Sequence, residues 1–250
     1  MEEAGIYVIV ALAQAECAIT ADKYPECYPP ELKLQGQHVI EVFSKYSNTL
    51  AFSAGNEVNH FTPLNQEEWN APCQKKFIRD MRKFIDQCEG IRRIPVGLVS
   101  ADNARDDMAQ YYNCHSSKRK HDPLETAEWY GLNTYVFCDG NATEYEQAKG
   151  LKLLQKSFAS YNYSIPAVLT EFGCLSDSFD TVDKVEGQRN FYQAQWMLDQ
   201  ESMRDTFAGG FAFEYSIEKA NAGGESPYPF NKFGKQNYGA SKMIDRLVNV

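Results

Sequence analysis

Basic residues are in short supply: 25 Lys and Arg stand against 34 Asp and Glu, a formal net charge of −9. That sign is wrong for holding a phosphate backbone by counterion release, so nucleic acid is not an expected partner. Long hydrophobic runs are missing as well. The longest, Ile6 to Ala13, falls far short of the roughly 20 apolar residues of a membrane span, and the acidic start Met1-Glu2-Glu3 lacks the basic flank of a signal peptide. There is no Cys-x-x-Cys pair, which speaks against zinc, and no repeat, low-complexity tract or linker to divide the chain. Residues 1–250 are therefore read as one domain. Neither Gly-x-Gly-x-x-Gly nor Gly-x-x-x-x-Gly-Lys follows any apolar run, which removes the phosphate cradle of the open-sheet nucleotide binders.

What is present is enough to fold. With 43% apolar side chains the 250 residues can bury a sizeable core without metal or disulfide support. Seven cysteines are scattered along the chain, mildly favouring disulfides over metal, and an odd number cannot all pair internally. Two glycosylation sequons, at Asn141 and Asn162, suit an exported protein. Export without a visible leader suggests a missing piece of chain.

A short apolar, β-branched or aromatic run recurs, each followed by a stretch that reads as loop and helix. The runs are Ile6 to Leu12, Thr49 to Ala54, Ile94 to Val99, Tyr130 to Val136, Ala167 to Thr170 and Gly210 to Tyr215. Their spacing of roughly 35 to 45 residues is that of a strand plus crossover helix. Near-continuous apolar strands are what a parallel sheet covered on both faces needs. Helices are predicted over Leu32 to Tyr46, Gln74 to Gln87, Ala104 to Tyr112, Tyr145 to Ser160, Val185 to Asp199 and Ala240 to Leu247. The class is α/β, and without a phosphate cradle a closed (β/α)8 TIM barrel is favoured over an open sheet. Such a barrel has eight strands. Either the architecture differs or its front is absent.

Two of the runs end in glutamate. Ser53-Ala54-Gly55-Asn56-Glu57 closes the second, and Leu169-Thr170-Glu171-Phe172-Gly173 closes the fifth. Each carboxylate directly follows an apolar strand beside a glycine, at the rim where barrel enzymes place reactive groups. Cleaving a glycosidic bond needs two carboxyl groups, one protonated to help the leaving oxygen depart and one ionised to attack or to activate water. The plainer alternative is a pair of rim carboxylates in salt bridges.

Around these residues the chain resembles a known family. Phe43 to Val58 is similar to the acid/base segment of the fungal β-1,3-glucanosyltransferases of glycoside hydrolase family 72. Further landmarks follow in order: Ile78-Arg79-Asp80-Met81, Met108 to Cys114, Leu132-Asn133-Thr134-Tyr135 with Cys138, Thr170 to Cys174, and Gly209 to Ser216. The resemblance implies Glu57 as general acid/base, Glu171 as nucleophile, and Asn56, Tyr135 and Tyr215 as sugar-binding residues. It implies β-1,3-glucan as both donor and acceptor, no metal or organic cofactor, and a place at the cell surface or in the wall, held by a lipid anchor. It also implies a Cys138–Cys174 disulfide, and a bond from Cys114 to a cysteine beyond the barrel.

The chain departs from the pattern in places. Gly5 to Val10 matches the family's third strand, so its first two βα units are absent here, and a common aspartate near the end of that strand is Ala11. A barrel without two staves exposes sheet edges. The expectation is a chain that is unstable or inactive alone. Cys17 and Cys27, within one loop, are a candidate local pair. Cys73 and Cys88 are not, because a continuous helix between them holds them about 22 Å apart. Cys114, His115, His121 and Asp122 fit no standard metal spacing, and Lys118-Arg119-Lys120 beside them would repel a cation. Gly223 to Pro229 reads as a surface loop.

Overall fold

The computed structural model describes residues 1–14, 17–19, 27–59, 67–114, 122–135, 142–175, 181–182, 185–186 and 189–213. The chain divides into two compact units, Met1–Asn133 with Tyr161–Val168, and Thr134–Ser160 with Leu169–Val250.

The first unit is a parallel sheet with its crossover helices. Strands β1 (Val8–Ala11), β2 (Thr49–Asn56), β3 (Val96–Ser100) and β4 (Tyr130–Asn133) alternate with helices α1 (Pro30–Phe43), α2 (Glu67–Gln87) and α3 (Arg105–Asn113). Val10 pairs with Phe52, Phe52 with Val96, and Val99 with Gly131, all parallel. Every residue of β3 and β4 is buried, and so are six of the eight in β2. That is the burial an apolar run predicts when both faces of a sheet are covered. Helix α2 turns Phe77, Ile78, Met81 and Ile85 into the core, a spacing that keeps one helical face apolar.

Close backbone approach fixes β3 against its neighbour. A Cβ on Gly97 would lie 2.2 Å from the carbonyl oxygen of Trp129, so no larger residue fits there. The Trp129 indole in turn donates to the Phe52 carbonyl at 3.1 Å and packs with Ala51, Val99 and Ile9. At the same end of the strands Glu128 accepts from the Val96 amide at 2.8 Å and pairs with Arg82 and Arg93.

In the second unit, a 3-10 turn at Tyr145–Gln147 leads into α4 (Lys149–Ser160). Strand β5 (Ala167–Phe172) crosses the boundary between the units. Short segments β6 (Cys174–Leu175) and β9 (Arg189–Asn190) pair antiparallel, as do β7 (Thr181–Val182) and β8 (Val185–Glu186). Helices α5 (Tyr192–Asp199) and α6 (Glu201–Thr206) precede β10 (Gly210–Ala212), which pairs with β5 in parallel through Gly210–Leu169 and Ala212–Phe172. Leu151, Leu154, Phe158, Met203 and Phe207 form the apolar interior, with the Phe158 and Phe207 rings 5.2 Å apart. Strand order in the sheet, β1-β2-β3-β4-β5-β10, follows the chain.

All six predicted strands are present, with boundaries shifted by a few residues. Helix α2 begins seven positions before the predicted Gln74, with Pro72 inside the helix. The predicted helix Val185 to Asp199 is corrected: Val185–Glu186 and Arg189–Asn190 are extended and only Tyr192–Asp199 is helical. Gly187 interrupts the apolar period there. The predicted helix Ala240 to Leu247 and the loop Gly223 to Pro229 lie outside the described residues.

Candidate active site

In the first unit the site is the C-terminal end of β2. Asn56 is exposed, and Glu57 beside it is half-buried. Glu57 has φ of 51°, the left-handed conformation that residues other than glycine rarely adopt, and such outliers persist only when the surroundings over-determine them. Here the surroundings do. The Glu57 amide donates to the Val99 carbonyl at 2.9 Å, tying the turn to β3. Two residues on, Asn59 is buried and its side chain donates to the carbonyls of Ala101 and Asn103 at 3.2 and 3.1 Å. The same side chain accepts from the Ala101 amide at 3.0 Å, and Asn103 donates back to the Asn59 carbonyl at 2.8 Å. Asn70 on α2 holds the Val58 carbonyl at 2.7 Å. Gly55 completes the turn, since a Cβ there would lie 2.6 Å from the Gln74 Oε1.

The Glu57 carboxylate itself is gripped from β4. Asn133, buried at the end of that strand, donates from Nδ2 to Glu57 Oε1 at 2.9 Å and to Asn56 Oδ1 at 3.3 Å.

In the second unit Glu171 lies near the end of β5, half-buried. Its Oε2 accepts the phenolic hydrogen of Tyr135 at 2.5 Å, and its backbone carbonyl accepts from the Thr134 amide at 3.2 Å. The Phe213 amide donates to the Phe172 carbonyl at 2.8 Å, and Gly173, with φ of 142°, turns the chain just past the strand. Chemically, each glutamate sits at the end of a parallel strand with one oxygen held by a neutral donor. A carboxylate held this way keeps a fixed orientation.

Asn56 and Glu57 are thus brought together in one unit, Tyr135 and Glu171 in the other. Tyr215, Cys138 and Asn141 lie outside the described residues, as do His115 and His121. Asn162 is exposed on the turn after α4, with φ of 51°. Cys174 is buried and disulfide-bonded.

One pairing is corrected. Cys27 bonds to Cys73, with Cα atoms 4.9 Å apart, and Cys17 is a free thiol, so the candidate Cys17–Cys27 pair does not form. The bond staples the segment before α1 to α2. Beside it Tyr28 donates to Asp80, which Arg79 also grips at 2.9 and 2.7 Å. Cys88 is free, as the continuous helix between it and Cys73 requires. Cys114 is free and exposed.

Sequence reasoning did not single out Asn133, Asn59 or Asn103. For Asn133 a signal existed: it is the polar terminus of an otherwise apolar, fully buried strand, Tyr130-Gly131-Leu132-Asn133. Buried amides demand partners, and at a barrel rim the partners are site residues.

Comparison with known proteins identifies the family. A family model described as glucanosyltransferase, glycoside hydrolase family 72, matches residues 1–227. The 1,3-beta-glucanosyltransferase PGA4 of Candida albicans is 32% identical over 226 residues, covering 89% of this chain and 45% of that protein. The 1,3-beta-glucanosyltransferase gel1 of Aspergillus fumigatus is 30% identical over 225 residues, covering 89% and 44%. Among solved structures, Saccharomyces cerevisiae Gas2p in complex with laminaripentaose superposes with a TM-score of 0.68 at 27% identity, over 92% of this chain and 44% of that one. A Gas2p mutant with laminaritetraose and laminaripentaose gives 0.68 at 26%, with 92% and 44% covered. The chain therefore spans less than half the length of the relatives it matches. The fold is α/β of the TIM-barrel class, with six parallel strands among the described residues. By the match of its first 227 residues, the chain belongs to the glucanosyltransferase family, glycoside hydrolase family 72.

Proposed function

We propose that this chain carries the catalytic machinery of a retaining β-1,3-glucanosyltransferase, with residues 1–250 acting as one catalytic domain. The observation that carries the reading is the shared setting of two strand-end glutamates, each with an oxygen that accepts from a neutral donor: Asn133 for Glu57, Tyr135 for Glu171. The names of the relatives, 1,3-beta-glucanosyltransferases, and the laminari-oligosaccharides bound to Gas2p support the substrate class.

In this reading Glu171 attacks the anomeric carbon of an internal β-1,3 linkage while Glu57 gives its proton to the departing oxygen. The carbon–oxygen bond of the linkage breaks and a glycosyl ester forms on Glu171. Glu57, now ionised, takes the proton of the 3-hydroxyl of an incoming glucan, and that oxygen displaces the ester. The new reducing end of one chain is thereby joined to another, with net retention at the anomeric carbon. Tyr135 steadies the charge that Glu171 loses and regains, and Asn56 and Tyr215 bind sugar. No metal or organic cofactor has a step to perform. Retention requires the two carboxyl groups about 5 to 5.5 Å apart around the sugar.

Donor and acceptor are both β-1,3-glucan. The expected place of work is outside the cell, at its surface or in its wall, with a lipid anchor, glycans at Asn141 and Asn162, and Cys138 as the partner of Cys174. Among the described residues no helix is long and apolar enough to cross a membrane.

Product analysis tests the reading. The full product of the gene, given a laminari-oligosaccharide of single length, is expected to yield chains longer than the substrate. Shorter chains alone make it a β-glucan hydrolase with the same carboxylate pair. Binding without turnover makes it a noncatalytic carbohydrate-binding protein.

A further inference from the structure

Asn133 takes part in none of the chemical steps above, yet its amide nitrogen reaches two adjacent site residues at once. It is 2% exposed, so its hydrogen bonds are made inside the protein and not to water. An amide nitrogen has two hydrogens, and here there are two acceptors, Glu57 Oε1 at 2.9 Å and Asn56 Oδ1 at 3.3 Å. A carboxyl oxygen that carries no proton only accepts, so the group facing Oε1 of Glu57 is the NH2 of Asn133. Asn56, receiving the second hydrogen, must then present its oxygen to Asn133.

We propose that Asn133 is the positioning residue of the acid/base, an inference that rests on the glucanosyltransferase reading. By donating to Oε1 of Glu57 it fixes the orientation in which that carboxyl group meets the leaving oxygen. By donating to Oδ1 of Asn56 it orients the neighbouring amide as well. A single buried amide on β4 thus sets the geometry of the acid/base. No bond to substrate is made by Asn133 itself.

The experiment separates help for the leaving group from general damage. A natural glucan linkage needs a proton to depart, whereas a dinitrophenyl β-laminaribioside has a leaving group that departs without one. The full gene product is compared with Asn133→Ala and with Asn133→Asp, which keeps the shape but replaces the donor by an acceptor. Glycosylation by laminari-oligosaccharide is expected to fall by about 100-fold in both variants, the low end of what general acid catalysis contributes. Dinitrophenolate release in the first turnover is expected to fall by no more than about threefold, because forming the ester from this donor does not call on the acid. Thermal unfolding of both variants accompanies the rates, and the isosteric Asn133→Asp carries the test where Asn133→Ala does not fold.

Equal losses on the two donors would reduce Asn133 to a structural residue, and unchanged rates on both would remove its role altogether. Either result leaves the glucanosyltransferase reading standing. If the unsubstituted protein cleaves neither donor, that reading fails and this inference falls with it.

Discussion

Tyr135 donates its phenolic hydrogen to Oε2 of Glu171 at 2.5 Å, across 36 positions of sequence. Sequence alone ranks that tyrosine as a stacking face or hydroxyl donor for sugar; the structure gives it Glu171 as a partner. A hydrogen bond to a charged group contributes about 1.5 to 3 kcal/mol, and in the proposed mechanism the charge on Glu171 changes in each half-reaction. Tyr135→Phe is therefore expected to lower kcat by roughly 10- to 100-fold while changing KM much less. Steady-state rates on laminari-oligosaccharides measure both. A rise in KM alone would return Tyr135 to sugar binding.

The two glutamates are distinguishable by what rescues them. Glu57→Gln and Glu171→Gln are each expected to abolish turnover and to leave laminaripentaose binding largely intact. With the smaller Glu57→Ala, a dinitrophenyl donor still forms the ester on Glu171, and azide then captures it as the β-glycosyl azide. With Glu171→Ala, azide attacks from the face the nucleophile used, giving the α product. Analysis of the azide products by NMR assigns the roles, and opposite anomers would reverse them.

Acid sensitivity is expected away from the site. Burial by itself would raise the Asp80 carboxyl, but hydrogen bonds from Tyr28 and Arg79 outweigh it and hold the group below its ordinary range. A carboxyl lowered by folding adds stability above its unfolded value, about 3.9, and that stability is lost as pH falls through the folded value. Urea unfolding of the unsubstituted chain and of Asp80→Asn is thus expected to differ at pH 7 and to converge in acid. Burial, followed by the bond to Asp80, pushes the Tyr28 phenol up, so its share of stability is present below about pH 10 and wanes above it. A difference between the two proteins that is constant from neutral to acid pH would contradict this.

Covalent stapling has its own signature. The Cys27–Cys73 bond closes a loop of 46 residues. Chain-entropy reasoning gives such a loop about 4 kcal/mol, with measured bridges commonly at 2 to 4. Cys27→Ser and Cys73→Ser should each lower stability by about that amount, whereas Cys17→Ser should change it little. Denaturation curves decide between this bridge and a Cys17–Cys27 bond, for which Cys17→Ser would cost as much as Cys27→Ser.

Much of the scaffold was legible in the residue order, and the reasons are local. Strands β2, β3 and β4 are near-continuous apolar runs because both their faces are covered. Glu57 and Glu171 stood out because a carboxylate directly after such a run has no surface role to explain it. What could not be read depends on distant partners. The left-handed turn at Glu57 is held by Asn59 and Asn103, 44 positions apart, and nothing near either residue announces the other. Cys27 chose Cys73 over the closer Cys17 because α2 delivers it to bonding distance. Asn133 was passed over because a buried amide looks the same in sequence whether it satisfies a core or a carboxylate.

The central claim is that Glu171 becomes esterified during turnover. A laminaribiosyl fluoride bearing fluorine in place of the hydroxyl next to the anomeric carbon slows the release of such an ester, so it accumulates for mass spectrometry. The account predicts a single adduct on the peptide that carries Glu171, absent from Glu171→Gln. Glucan turnover without any adduct and with inverted products, or an adduct on a different side chain, would contradict it.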